Sequence, residues 1–433
     1  MDLTKGNIRK NIITFALPII IMNIINQLYS IVDSVIIARF ASERSLAVMS
    51  STISILLIGY CLINGASSAI HILIGNKFGE KNYEEIHNIM KTTYNVGFIF
   101  SLLLVIIYVL FGKHIFQFIN LPLELLNDCL ILLYIYAFSF IIQMFVNMQS
   151  SILSGIGDSK NPMMISITTQ IINIILDIIV VAVFKWDVFG AAIASTFALI
   201  ISMIWTQFII NKTLLKHTST RGKYKTIIFK EYLKLAIPSM LQQSIMSIGG
   251  LFIQYLINNN GIEAINGYTV ATNINSLLII PIVSFTIAFE TFAAQNIGAN
   301  QHSQVKEGYT FTIQYGWILC IFLSITTFLL SKLCISLYLD IDSASFIFAN
   351  HFLLLLIPNY FCLLYKQTID GLFKANMKVY LFTISSFISL FFRIMFSFIF
   401  ANHFGLISLA YATTLGTLIA VLFDFVMKWI YKY

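Results

Sequence analysis

The chain has 433 residues, of which 58% are hydrophobic and only 10% charged, with a formal net charge of +7. A soluble chain would carry about 25% charged residues, so this one lacks the polar side chains to cover a water-facing surface and reads as an all-α integral membrane protein. Single apolar runs exceed the roughly 18–20 residues that span a bilayer as a helix, whereas a barrel would show short alternating segments.

In chain order, the start "MDLTKGNIRKNIITFALP" is not a cleavable signal peptide: its apolar run is too long, and no small-residue cleavage site precedes further spans. About twelve transmembrane helices follow, near 13–38, 46–75, 93–112, 129–153, 163–184, 190–211, 231–257, 264–296, 308–332, 346–372, 379–401 and 405–429. An even number places both termini on one side. With the N-terminus inside, twenty Lys and Arg residues fall on inside segments (Lys366, Lys374 and Lys378 among them) and five on outside segments, with Arg393 mid-span. That asymmetry predicts cytoplasmic termini in a plasma (inner) membrane. It also accounts for the basic balance through topology and lipid headgroups, with no nucleic-acid partner. The five cysteines are scattered through apolar segments without a paired motif, so they read as small buried hydrophobes and no disulfide framework is expected.

Residues 17–40, "LPIIIMNIINQLYSIVDSVIIARF", carry Asp33 well inside an apolar run. A carboxylate there costs roughly 2.5–3.5 kcal/mol on insertion scales. Asp33 is expected about four turns into the first helix, near mid-bilayer. Asn173 and Asp177 are four residues apart and share one face of the fifth helix. If helices one and five are neighbours, the two carboxylates approach each other, and a proton or a bound Na⁺ relieves their repulsion. Asp33 is then retained because its charge state can change. Pro18 removes a backbone rung from the same helix, which allows it to bend when the acid is neutralised.

A basic loop near 212–230 divides the chain into lobes at 1–211 and 231–433, and these lobes resemble each other. "TFALPIIIMNIINQLYS" at 14–30 matches "KLAIPSMLQQSIMSIGG" at 234–250, with Pro18 on Pro238 and Thr52 on Thr272; "SGIGDSKNPM" at 154–163 falls near "DGLFKANMKV" at 370–379. Two six-helix bundles of equal orientation predict a pseudo-two-fold axis along the membrane normal, with alternating access by rocking.

These residues resemble the multidrug and toxic compound extrusion (MATE) family. The carriers are Leu17, Pro18, Gln27, Tyr29, Val32 and Asp33 in the first helix, and Gly155, Gly157, Asp158, Ser159, Lys160 and Pro162 between helices four and five. Asn173 with Asp177, "GAAIAS" at 190–195 and "TFAAQNIGAN" at 291–300 complete the set. The resemblance implies a monomer that exports organic, often cationic, compounds in exchange for H⁺ or Na⁺, with no other cofactor and with membrane lipids as its surroundings. It places Asp33, Asn173, Asp177 and Ser195 in an ion-coupling cluster, with Na⁺ at Asp33 and Asp177 as one occupant. It also makes Tyr29, Asn26, Gln27, Asn147 and Arg393 candidates to line the substrate cavity. One branch of the family has acids in helices seven and ten; here the stretches around Met246–Ser247 and Asn359–Tyr360 have none, which argues against a cation site in the C-terminal half.

The repeat offsets put Asp33 on Ile253 and Asp177 on Arg393, so the first half reads as acidic inside and the second as holding an arginine, to balance Asp370, Asp424 or a substrate anion. His71 and Glu290 fall on each other and are expected to meet as a cytoplasmic gate, against the plainer reading of two separate vestibule residues. An alternative function is a lipid-linked oligosaccharide flippase, which would need several cavity cations where only Arg393 is mid-span. A membrane enzyme would need a paired catalytic motif, and the chain has neither HExxH nor GxSxG.

Overall fold

A computed structural model describes residues 1–40, 42–119, 121–214, 222–258 and 260–431. The middle of the basic loop, 215–221, lies outside the described residues, as does Lys432. Thirteen α-helices account for nearly all of the described chain: α1 (Ile8–Phe40), α2 (Glu43–Gly79), α3 (Tyr83–Phe118), α4 (Leu123–Gly155), α5 (Lys160–Asp177), α6 (Asp187–Leu214), α7 (Thr226–Asn258), α8 (Ile262–Gly298), α9 (His302–Ser336), α10 (Ala344–Leu355), α11 (Ile357–Ala375), α12 (Val379–Phe404) and α13 (Leu409–Ile430). No strand occurs among the described residues. Eleven of these helices are long and apolar enough to cross a membrane, and α10 with α11 makes a twelfth span bent by 44°. The expected helix at 346–372 is therefore broken. Pro358 sits in the first turn of α11, where its missing N–H costs nothing for the new helix but cannot continue the old one.

The outer faces are apolar. Phe98, Ile99, Leu103 and Leu110 on α3, and Phe322, Phe328 and Leu329 on α9, are all exposed. In water such surfaces would be a liability; in acyl chains they are the solvated face, while the helices satisfy their own backbone groups.

The helices end and begin on local signals. Ser42 and Asn82 accept from the backbone N–H of Ser45 and Glu85, capping α2 and α3. Two corners recur in both halves. After α2, Lys81 takes a left-handed φ of 58° and Asn82 N donates to Lys77 O; after α8, Asn300 does the same at 58°, with Gln301 N donating to Asn296 O. After α4, Gly157 has φ 81° and Asp158 N donates to Leu153 O; after α11, Met377 has φ 61° and Lys378 N donates to Phe373 O. Both pairs are Schellman-type ends, and the repeat read from the sequence thus appears in backbone geometry.

The chain forms two compact units: Met1–Asp2 with Ile21–Gln243 (unit 1), and Leu3–Ile20 with Ser244–Tyr433 (unit 2). The division runs through α1 and α7 rather than at the 212–230 loop, because the first half of α1 packs elsewhere than its second half. Leu3, Ile12, Phe15, Ala16 and Ile19 join Phe285, Phe289 and Phe292 of α8 in one core of unit 2, and Leu3 N donates to Gln295 Oε1. Within unit 1 the far end of the basic loop is tied to α3: Lys223 N donates to Asn88 Oδ1, Lys225 N to Thr92 Oγ1, and Lys225 Nζ pairs with Glu85 at 2.6 Å.

Candidate functional site

The polar residues of unit 1 form a seam between α1 and α5. Asn26, Tyr29 and Asp33 are spaced by three and four residues on α1; Ser166, Gln170, Asn173 and Asp177 follow the same helical period on α5. The rungs join in order. Ser166 Oγ and Gln170 Nε2 donate to Asn26 Oδ1 at 2.7 and 3.2 Å. Tyr29 stands beside Asn173 and Ser195, and Asn173 Nδ2 donates to Ser195 Oγ of α6 at 3.1 Å. At the far end, Asp33 and Asp177 bring their carboxyl groups within hydrogen-bond reach of each other.

That last contact carries the chemistry. Asp177 is 0% exposed, and neither of its oxygens has a hydrogen-bond donor among the described residues. Ionised carboxylates only accept, so two facing carboxylates make no bond, and two unit charges 4 Å apart repel by about 4 kcal/mol at an effective dielectric of 20. One proton between them turns repulsion into a hydrogen bond and supplies the missing donor. Asn173 Oδ1 is also buried without a partner. Tyr136 of α4 stands within electrostatic range of Asp33, Asp177 and Tyr29. The sequence reading missed it, since nothing in its local pattern separates it from the other aromatic residues of the helices.

Two backbone features set the pair in place. α1 runs to Phe40, so Asp33 lies about two turns from its second end and closer to that end than a mid-bilayer placement implies. Asp177 is the last α-helical residue before a π-helical turn, Ile178–Val183, and such turns occur often at functional sites. Gly190 of α6 packs on that turn: a Cβ there would lie 2.4 Å from Val180 Cγ1.

The other sequence candidates lie elsewhere. Asn147 belongs to a separate polar chain, donating to Asn64 Oδ1 and accepting from Gln143 Nε2, each at 2.7 Å. Gln27 is half-buried on α1. His71 lies on α2 in unit 1 and Glu290 on α8 in unit 2, and the Glu290 carboxylate is paired with Lys374 Nζ at 3.1 Å. Arg393 balances neither Asp370 nor Asp424. Asp370 is paired with Lys366 at 2.6 Å, Asp424 accepts from Ser385 Oγ at 2.9 Å, and Arg393 Nε is buried without a partner among the described residues. Lys366, counted above with the inside loop charges, is instead buried within α11. The second half therefore holds a mixed-sign cluster rather than a lone arginine.

The MatE family model matches residues 18–179 and again 238–399. The chain belongs to the MATE family. The two matches are displaced by 220 residues, the offset of the internal repeat. Curated MATE relatives include the probable multidrug resistance protein YoeA of Bacillus subtilis, 25% identical over 87% of this chain and 83% of the relative. A protein named FAD transporter from Shewanella oneidensis is 22% identical over 66% and 65%. Among solved structures, an outward-facing multidrug resistance MATE family transporter superposes with a TM-score of 0.91 at 19% identity, covering 99% of this chain and 96% of that one. A MOP superfamily transporter from Pyrococcus furiosus gives 0.89 at 19%, covering 99% and 97%. The chain is thus a multi-pass membrane protein of a multidrug efflux transporter family, which sets aside the membrane-enzyme reading.

Proposed function

We propose that this MATE protein exports organic, often cationic, compounds by antiport against protons, with the Asp33–Asp177 pair as the coupling site. The observation that carries the reading is the facing of two carboxyl groups in a pocket that offers them only neutral groups. A proton completes that arrangement with no further ligand. Na⁺ would have to be ringed by the same two carboxylates with the oxygens of Asn173, Ser195 and Tyr29.

Coupling follows from differential affinity. With the pair ionised, unit 1 offers excess negative charge to a cationic compound. With a proton bound, that attraction falls and the compound is released. The proton enters from the side where it is abundant; with both termini cytoplasmic, the orientation that the positive-inside pattern supports, uptake of protons from outside drives export. The protein works as a monomer in this scheme, with Asn26, Gln27, Asn147 and Arg393 as candidate cavity residues and His71 and Glu290 as candidate gate residues.

The test is transport of a fluorescent cation in proteoliposomes, driven by a pH gradient alone and, separately, by a Na⁺ gradient alone. We expect the pH gradient to drive transport and Asp33→Asn to reduce it to the level of protein-free vesicles while leaving the protein folded. Transport by the Na⁺ gradient alone would assign the pair to Na⁺, and full pH-driven export by Asp33→Asn would remove the pair from coupling altogether.

A further inference from the structure

We propose that Asp424 is a separate proton-binding site in unit 2, holding one proton on Oδ1 within a pocket whose other buried charges cancel. This goes beyond the Asp33–Asp177 reading and stands whichever ion that pair carries.

Five charged side chains lie along α11 and the two helices that pack on it, α8 and α13. α11 presents Lys366, Asp370 and Lys374 at intervals of four, hence on one face. Lys366 Nζ pairs with Asp370 Oδ2 at 2.6 Å, and Lys374 Nζ pairs with Glu290 Oε2 of α8 at 3.1 Å. Both ammonium groups also lie over the ring of Phe382 on α12, at 5.7 and 4.5 Å from its centroid. Two cations are matched by two anions. Asp424 of α13 is the fifth charge and has no ion partner. It is 0% exposed, and its Oδ2 accepts from a neutral group, the Ser385 hydroxyl. Asp424 Oδ1 and Asp370 Oδ1 are both buried with no hydrogen-bond partner among the described residues, and Asp370 lies within electrostatic range of Asp424.

An unpaired carboxylate in such a place is too costly to persist, so the group takes a proton instead. The step is simple in balance: one H⁺ from water adds to the Asp424 carboxylate, giving a neutral acid and bringing the five-group cluster from −1 to zero. The O–H supplies a donor where Oδ1 had none. Lys366 of α11 also lies within electrostatic range of Asp424, but its ammonium is held on Asp370 Oδ2 at 2.6 Å, and the other cations of the surrounding elements are more distant. On α12, Arg393 is about two turns past Ser385 and His403 is further still. On α13, Lys428 Nζ sits over the Tyr309 ring of α9 at 3.3 Å. On α10, the only titratable side chain is His351, which is exposed. Na⁺ is a poor occupant, because Lys366 already places an ammonium beside Asp370.

The experiment is pH-difference infrared spectroscopy of the full chain in lipid nanodiscs, reading the C=O stretch of protonated carboxyl groups. An Asp33→Asn/Asp177→Asn background removes the contribution of unit 1. In that background we expect a protonated-carboxyl band at neutral pH, lost on adding Asp424→Asn and moved in frequency on adding Ser385→Ala, which deletes its hydrogen-bond partner. No band in the background, or a band indifferent to Asp424→Asn, would overturn the proposal. Should Asp424→Asn not fold, the Ser385→Ala shift decides: its absence overturns the assignment. Since the background lacks the unit 1 pair, failure here leaves the coupling reading intact, and the reverse also holds.

Discussion

Asp177 of unit 1 and Asp370 of unit 2 are both almost fully buried, at 0% and 1% exposed, yet the first faces another carboxyl group and the second an ammonium. Around Asp33 and Asp177 the neighbours are neutral: Tyr29, Asn173 and Ser195. Around Asp370 the neighbours carry both signs, and Lys366 and Lys374 tie α11 to itself and to α8. The comparison separates two uses of buried charge. Opposite charges that pair within the chain fix a packing arrangement and leave little for a ligand to do. Like charges that face each other leave an interaction incomplete, and a small cation arriving from solution completes it.

The largest expected effects cross over between the two units. Asp177→Asn removes a like-charge contact, so it should leave thermal stability in detergent unchanged or raised while gradient-driven export falls to background. Lys366→Met strands Asp370 without its cation. Breaking one side of a buried pair typically costs about 3–5 kcal/mol, so its unfolding temperature should drop well below that of wild type, and Lys366→Met/Asp370→Asn should recover most of the loss. If Asp177→Asn proved the destabilising change and Lys366→Met the silent one, the division of roles would be inverted.

A smaller effect tests how the unit 1 pair is held. Gly190→Val adds atoms where even a Cβ would be 2.4 Å from Val180 Cγ1 and 2.9 Å from Trp186 Cβ. The π turn after Asp177 must then shift, and Asp177 with it. Export should fall with helical content by circular dichroism preserved. Unaltered export would mean that the π turn does not position the carboxylate. Milder still is Ser195→Ala, which removes the hydroxyl between Tyr29 and Asn173 at a cost of about 0.5–1.5 kcal/mol. We expect the pH for half-maximal export to move with that variant and Ser195→Thr, which keeps the hydroxyl, to behave as wild type.

How far this was legible from sequence depends on spacing. Asn173 and Asp177 stand out because four residues is one helical turn, and Asp33 because a carboxylate in an apolar run is rare; that the first and fifth helices are neighbours is a matter of packing that spacing does not give. The bend at Pro358 leaves no hydropathy signal, since the residues on either side of it are mostly apolar and read as one span. Lys366 and Asp370 carry the same four-residue spacing as Asn173 and Asp177, but α11 is amphipathic and rich in polar residues near its end. Lys366 therefore reads as a loop charge from sequence, and only its burial shows otherwise. Tyr136 had no signal at all: a tyrosine in a membrane helix becomes a site residue only through which helix it packs against.

The smallest prediction concerns the corners the repeat shares. After α4 the left-handed position is Gly157, and after α11 it is Met377. A non-glycine side chain in that region costs on the order of 1 kcal/mol, and glycine at a helix C-terminal corner avoids that strain at some entropic cost in the unfolded chain. The two positions do the same backbone job, since Asp158 N reaches Leu153 O and Lys378 N reaches Phe373 O at 2.9 and 2.8 Å. Gly157→Ala should therefore lower the unfolding temperature slightly and Met377→Gly raise it, each by ~2 °C or less in a chain of this size. Met377 is half-buried, so its side chain offers a competing contribution. A drop for Met377→Gly would show that the packing of that thioether against its neighbours outweighs the backbone strain, and that unit 2 stabilises this corner by a contact that unit 1 does not use.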